Sequence, residues 1–184
     1  MRINNITLTA KISNQPLNLF SISRKLWNCI YNPKRFNAII LRLRKPQTTS
    51  LVFRTGKIVI VGAKTPDDAK KGARKTARAI FLATTKEEQL KIFCIDVKIQ
   101  NIVVSETLKY KPDLFAFMQS KRLFCVYEPE TFSPAVLCYK NVKDSKLIAN
   151  LFFTGKIVMT GSSNIAEMTE FLELLVRILL RFKK

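Results

Sequence analysis

Tyr31-Asn32-Pro33-Lys34-Arg35-Phe36 returns 96 residues later as Tyr127-Glu128-Pro129-Glu130-Thr131-Phe132. Asn5-Ile6 returns at the same offset as Asn101-Ile102. Phe53-Arg54-Thr55-Gly56-Lys57-Ile58-Val59 returns as Phe152-Phe153-Thr154-Gly155-Lys156-Ile157-Val158, now at an offset of 99. The step from 96 to 99 places a three-residue insertion in the second copy, between Phe132 and Phe152. Solenoid units run about 20–50 residues and stack in threes or more, so a two-copy repeat of this length is something else. It implies a duplicated half-domain with pseudo-two-fold symmetry, a first repeat over residues 1–92 and a second over 93–184. Such symmetry suits a ligand that is itself roughly two-fold. No Gly/Ser/Pro-rich linker separates the copies, so one continuous structure is expected.

Composition narrows the ligand. With 184 residues and 47% apolar content the chain can bury a sizeable core. The net charge is +19. It is uneven: residues 1–92 hold 19 Lys/Arg against 4 Asp/Glu, and residues 93–184 hold 13 against 9. Such an excess opposes compaction unless something anionic binds, and nucleic acid is the leading candidate. The four cysteines, Cys29, Cys94, Cys125 and Cys138, show no CxxC spacing, and histidine is absent. Zinc sites and His-based catalytic triads are therefore not expected, and reduced thiols in a nuclear or cytoplasmic setting fit best. No apolar run reaches the roughly 18 residues of a membrane span, and no signal-peptide pattern opens the chain.

Local patterns set out the elements. Ile6, Leu8, Ala10 and Ile12 alternate with Asn5, Thr7, Thr9 and Lys11, which is strand periodicity with two unlike faces. A short helical stretch is expected near residues 18–28, then three β-rich runs at 37–44, 48–54 and 57–64. Lys45-Pro46-Gln47 and Thr55-Gly56 punctuate them as turns. Thr65-Pro66-Asp67-Asp68 starts a helix: Thr caps, Pro suits the first helical position, and the two acids face the positive end of the macrodipole. That helix should reach about residue 83. The second copy repeats the plan with a strand at 98–107, a helical or irregular stretch, three strands within 135–161 and a helix over 164–182. Glu173 and Arg177 are spaced as an i,i+4 ion pair on that helix. Hairpin-linked strands with grouped helices indicate an α+β fold: about ten strands in one curved antiparallel sheet, helices on one face and the other face open.

With these pieces in order, the chain resembles the TATA-binding protein core-domain family over almost its whole length. The repeated Tyr-x-Pro-x-x-Phe segments, Lys45-Pro46-Gln47-Thr48-Thr49, Gly62-Ala63-Lys64, Gly72-Ala73-Arg74-Lys75, Lys98-Ile99-Gln100-Asn101-Ile102-Val103 and both Phe-x-x-Gly-Lys turns carry the likeness. The resemblance implies a saddle-shaped ten-stranded sheet with helices on its convex face and the DNA minor groove against its concave face. It implies no cofactor, no metal and no catalysis.

What the family does with its residues transfers by position. The resemblance implies Phe36 with Phe53, and Phe132 with Phe152, as wedges between base steps. It implies a minor-groove floor of Asn5, Thr7, Leu51, Val59 and Val61 in the first copy, and Asn101, Val103, Val158 and Thr160 in the second. Asn4 beside Asn5 leaves the first asparagine open. Arg35, Arg42, Arg54, Lys57 and Lys156 match rim positions that contact phosphates. Glu128 and Glu130 match the acidic stirrup that meets transcription factor IIB, and Lys71, Arg74 and Arg78 match a helix face that meets regulators; transcription factor IIA and associated factors are implied as well. Nuclear localisation follows from the same likeness. Self-association through the DNA-binding face in the absence of DNA is left open.

Several positions depart from the family pattern. Thr7 replaces a valine, Val61 a threonine, Asn150 a leucine and Cys138 an arginine, with Lys140 nearby. The insertion at 141–146 lacks a Lys-Pro turn. Two readings therefore stand side by side. One is a general initiation factor that binds and bends TATA-like elements and nucleates the pre-initiation complex. The other is a related factor with relaxed sequence preference that serves mainly as an assembly platform. An enzyme is opposed by the carboxylates, since Asp67/Asp68 and Glu87/Glu88 read as helix-start and helix-end charges rather than a metal cluster.

Overall fold

The computed structural model describes residues 1–84, 91–120, 124–140 and 146–183. Glu87, Glu88 and most of the insertion (residues 141–145) lie outside the described residues. The chain divides into two compact units, residues 5–100 and residues 1–4 with 101–184.

In the first unit, β1 (Arg2–Lys11), β2 (Cys29–Asn32), β3 (Phe36–Leu43), β4 (Thr48–Phe53) and β5 (Lys57–Ala63) lie in the order β2-β3-β4-β5-β1, and their pairings are antiparallel. Burial alternates along each strand as the period of two requires: Ile6, Leu8 and Ala10 of β1, Val52 of β4, and Ile58 and Ile60 of β5 point into the core. Helix α1 (Leu19–Lys25) is capped by Asn18, and α2 (Pro66–Ala83) by Thr65, whose hydroxyl accepts from the Asp68 N–H at 3.1 Å. Caps of this kind contribute about 1 kcal/mol.

Helix α2 lies close on the sheet because its buried stripe is small: Ala69, Gly72, Ala73, Thr76 and Ala77. A Cβ on Gly72 would come within 2.9 Å of Thr48 Oγ1 and 3.3 Å of an Ile60 methyl, so a larger residue there would have to displace the Thr48 side chain or lift the helix. Ser50 and Thr76, both buried, satisfy one another at 2.6 Å. The opposite face of α2 carries the exposed cations Lys71, Arg74 and Arg78.

The second unit repeats the arrangement with β6 (Ile95–Thr107), β7 (Phe124–Glu128), β8 (Phe132–Lys140), β9 (Lys146–Leu151) and β10 (Lys156–Ser162), in the order β6-β10-β9-β8-β7. Helix α3 (Leu114–Gln119) is capped by Asp113 and α4 (Ile165–Leu179) by Asn164. Helix α4 buries Met168, Phe171, Leu172, Leu175 and Leu179, and Tyr139 stacks on Phe171 with ring centroids 4.7 Å apart.

The α+β class, the ten antiparallel strands and the two repeats are as expected. Three details differ. The edge strand β7 falls where helical or irregular chain was expected, and β2 falls in a stretch to which no element was assigned, since four or five residues give an alternation little length to register. The last helix ends at Leu179 and tightens into a 3-10 turn over Leu180–Phe182, where Phe182 packs edge-on against Phe117 and its carbonyl accepts from the Asp113 N–H at 2.8 Å. Glu173 and Arg177 are exposed and, among the described residues, form no ion pair, since a surface pair gains little against the entropy of two long side chains.

Candidate nucleic-acid interface

Each half-sheet has one face under its helices and one face that no helix of its own unit covers. On the first unit's open face the strand register aligns one row of side chains: Ile30 beside Ile40, Ile40 beside Leu51, Leu51 beside Val59 and Val59 beside Thr9. A second row runs Arg42, Thr49, Val61. Thr7 and Asn5 lie on this face too, by the alternation of β1, so it is Asn5 rather than Asn4 that shares a side with the rows. All the apolar members are partly exposed, which leaves a wide floor of aliphatic groups with few polar ones.

The corresponding rows of the second unit are Val126, Val136, Asn150, Val158, Ser105, and Phe124, Cys138, Ile148, Thr160. Val103 and Asn101 belong to the same face of β6. The floor residues implied by sequence thus fall on the open face of their own unit, each half-buried.

The two asparagines are held by the backbone. β1 is irregular between Ile6 and Leu8, opposite Gly62 at φ +92°, and there the Gly62 N–H donates to Asn5 Oδ1 at 2.6 Å. β10 is irregular between Met159 and Ser162 around Gly161 at φ +106°, and the Gly161 N–H donates to Asn101 Oδ1 at 3.0 Å. A positive φ is glycine's territory, and it turns the amide N–H out of the ladder toward the asparagine. Because the oxygen is spent on an N–H, the amide orientation is set and Nδ2 remains to donate. In the second unit that nitrogen donates to Thr160 Oγ1 at 2.9 Å. In the first, Val61 stands at the threonine's place and has no hydroxyl. Among the described residues, Asn5 Nδ2 has no protein partner.

The four phenylalanines lie at strand ends: Phe36 opens β3, Phe53 closes β4, Phe132 opens β8 and Phe152 follows β9. Phe36 pairs with Asn32 across the β2–β3 turn, and Phe132 with Glu128 across the β7–β8 turn. Phe36 is 41% exposed and Phe132 50%, both high for an aromatic ring. Phe53 and Phe152 are half-buried, and Phe36 meets Phe53 edge-to-face at 6.1 Å and 74°. Phe153, 60% exposed, adds a ring beside Phe152 that the repeat comparison passed over, since its counterpart is Arg54.

Arg35, Arg42, Arg54, Lys57 and Lys156 are exposed, and among the described residues none is in an ion pair. Lys11 faces Lys57 directly across the β1–β5 ladder. Like charges so placed repel, and an anion between them relieves the cost. Sequence reading missed Lys11 because its partner at the 96-residue offset is Thr107, so the duplication did not mark it. Glu128 and Glu130 are exposed at the β7–β8 turn.

Burial raises the thiols of Cys29, Cys94 and Cys125 above their ordinary range; nearby Arg74 opposes the effect at Cys94, and Cys138 adds to it at Cys125. These groups are held as thiols, the unreactive form. Among the described residues, no cluster of three or more His, Cys, Asp or Glu could hold a metal, and no helix is long and apolar enough to cross a membrane.

The profile of the family described as "Transcription factor TFIID (or TATA-binding protein, TBP)" matches residues 1–82 and 96–182. The chain belongs to the TATA-binding protein family. It is 39% identical over 182 residues to the TATA-box-binding protein of Candida albicans, covering 99% of this chain and 73% of that one. It is 38% identical over 182 residues to the TATA-box-binding protein of Saccharomyces cerevisiae, covering 99% and 72%. Among solved structures it matches the Methanococcus jannaschii TBP with a TM-score of 0.79 at 26% identity, over 98% of both chains. The likeness spans both repeats, so this member of the TATA-binding protein family keeps the family fold from end to end. Thr7, Val61, Asn150 and Cys138 all fall on the open faces rather than in the cores.

Proposed function

We propose that the open faces of the two half-sheets hold the minor groove of A·T-rich double-stranded DNA, one half-site each, and that the protein is a non-catalytic transcription initiation factor. The observation that carries the reading is the pair of glycine-anchored asparagines. Each has its oxygen tied to a backbone N–H on an otherwise mostly aliphatic face, so what is left to face outward is N–H: both hydrogens of Asn5 Nδ2, and at Asn101 the one not donated to Thr160. Minor-groove edges of A·T pairs present only acceptors, and an aliphatic floor leaves the guanine amino group without a partner.

The remaining parts of the reading, Lys11 apart, rest on the family resemblance. Phe36 with Phe53, and Phe132 with Phe152, enter base steps at the ends of the site; unstacking costs a few kcal/mol per step and the resulting bend brings more protein against DNA. Arg35, Arg42, Arg54, Lys57 and Lys156, with Lys11, neutralise phosphates; they position the protein without reading sequence. Glu128 and Glu130 present an acidic turn to transcription factor IIB, and Lys71, Arg74 and Arg78 present a basic helix to regulators and associated factors, with factor IIA among the partners. The setting is the nucleus, where the assembly nucleates polymerase recruitment. Energy transfer between dyes on the two ends of a short TATA duplex tests the reading. Binding of the wild type should shorten the end-to-end distance, and replacing Phe36 and Phe53 with Ala should abolish the change. Equal bending by the variant would refute the wedge assignment.

A further inference from the structure

The two halves are not chemically equivalent at one floor position, and the difference predicts what the second half reads. Leu51 lies between Ile40 and Val59 in the first unit. Its counterpart at the 99-residue offset is Asn150, which lies between Val136 and Val158 in the second. Asn150 is half-buried on the open face, flanked on both sides by valine. Among the described residues its amide makes no hydrogen bond. It is unlike Asn101, whose oxygen accepts from the Gly161 N–H and one of whose two N–H groups donates to Thr160.

A free amide on an aliphatic floor offers both an acceptor and two donors to whatever lies against it. Over an A·T pair only the donors find partners, since adenine N3 and thymine O2 are both acceptors. Oδ1 would then be desolvated without a donor, which is costly for a polar group removed from water. Over a G·C pair the guanine N2 amino group donates to Oδ1, and Nδ2 can donate to a neighbouring acceptor, so the amide is satisfied. We infer that Asn150 is a specificity-determining residue that makes the second half-site accept a G·C pair at one position, where Leu51 holds the first half to A·T. Leucine fills the space the guanine amino group needs and gives it no acceptor; asparagine, of similar size, gives it one. The protein thereby binds a near-palindromic site in one direction.

The inference rests on the DNA reading proposed above, and the test separates the two. A single G·C pair is walked through an otherwise A·T duplex, and affinities are measured by fluorescence anisotropy at fixed salt for the wild type, Asn150→Leu and Leu51→Asn. The wild type should tolerate G·C at one position of one half-site. Asn150→Leu should lose affinity for that duplex by about tenfold or more and bind the A·T duplex at least as tightly as the wild type, since it no longer desolvates an unpartnered Oδ1 there. Leu51→Asn should create a second permissive position in the opposite half. Melting by circular dichroism should be nearly unchanged for all three, because both positions are half-exposed. Identical G·C profiles for wild type and Asn150→Leu would overturn the inference and leave the DNA reading intact. Failure of the wild type to bind the A·T duplex would overturn both.

Discussion

The sharpest single perturbation is Asn5→Asp, because it separates the structural duty of this side chain from its duty toward DNA. Asn5 Oδ1 accepts from the Gly62 N–H at 2.6 Å, and an aspartate oxygen can do the same. A bond to a charged acceptor contributes about 1.5–3 kcal/mol against about 0.5–1.5 for a neutral one, an increase that partial desolvation of the carboxylate offsets. Thermal stability should therefore change little. The outward face changes completely: two N–H donors become an anionic oxygen facing acceptors and phosphates. Loss of the base contact costs about 1–3 kcal/mol. Repulsion from the nearest phosphates adds roughly 1 kcal/mol at high effective dielectric and moderate salt. Together these amount to about 2–4 kcal/mol, or roughly 30- to 700-fold in affinity. Asn5→Ala is the complementary control. It leaves the Gly62 N–H without its partner, which costs up to about 1–3 kcal/mol of stability where water does not replace the bond. Anisotropy titration on an A·T duplex and a melting curve for each variant complete the experiment. An Asp variant within threefold of wild-type affinity would mean that the amide does not face DNA. A loss of affinity that simply follows a large fall in melting temperature would make Asn5 a structural residue only.

Salt titration should give a steep response: if roughly 5–8 phosphates are neutralised, log affinity should fall with log salt at a slope of about −4 to −7, and a slope near zero would remove the cationic rim from the reading. Lys11→Gln should flatten that slope by about 1, as removal of one phosphate contact requires; no change would return Lys11 to the status of a solvated strand end. Gly161→Ala should destabilise the fold more than Gly62→Ala in urea denaturation. Both alanines incur backbone strain of about 1–3 kcal/mol at positive φ. Only at Gly161 would the new Cβ also fall 2.3 Å from a backbone oxygen, that of Lys146, whereas at Gly62 the nearest neighbour is 3.7 Å away. Equal losses would contradict this packing account. Charge reversal at Glu128 and Glu130 should weaken recruitment of factor IIB in a gel-shift assay and leave duplex affinity intact, and a joint loss of both would place the acids on the DNA side instead.

Much of this protein was legible before any coordinates. The duplication and the α+β class rest on patterns within the sequence, whereas the proposed wedge phenylalanines and floor come from the resemblance to a family. Alternation in β1, β4 and β5 states which side chains share a face, and repetition at 96 and 99 residues states which positions correspond. The capped starts of α2 and α4 are equally local, since Thr65 and Asn164 act on N–H groups within three residues of themselves. Other features depend on residues far apart in sequence. That Asn5 rather than Asn4 is the anchored asparagine depends on Gly62, 57 residues away, and on the irregularity in β1 that turns the Gly62 N–H outward. That Val61 leaves the Asn5 amide nitrogen without a partner while Thr160 accepts from that of Asn101 requires the β1–β5 and β6–β10 registers. The Lys11–Lys57 pair, and the isolation of Asn150 between Val136 and Val158, likewise exist only once strands are placed side by side. Periodicity along one strand tells which way a side chain points. Only the pairing of strands decides what stands next to it, and hydrogen bonds and charge repulsion act between neighbours in space.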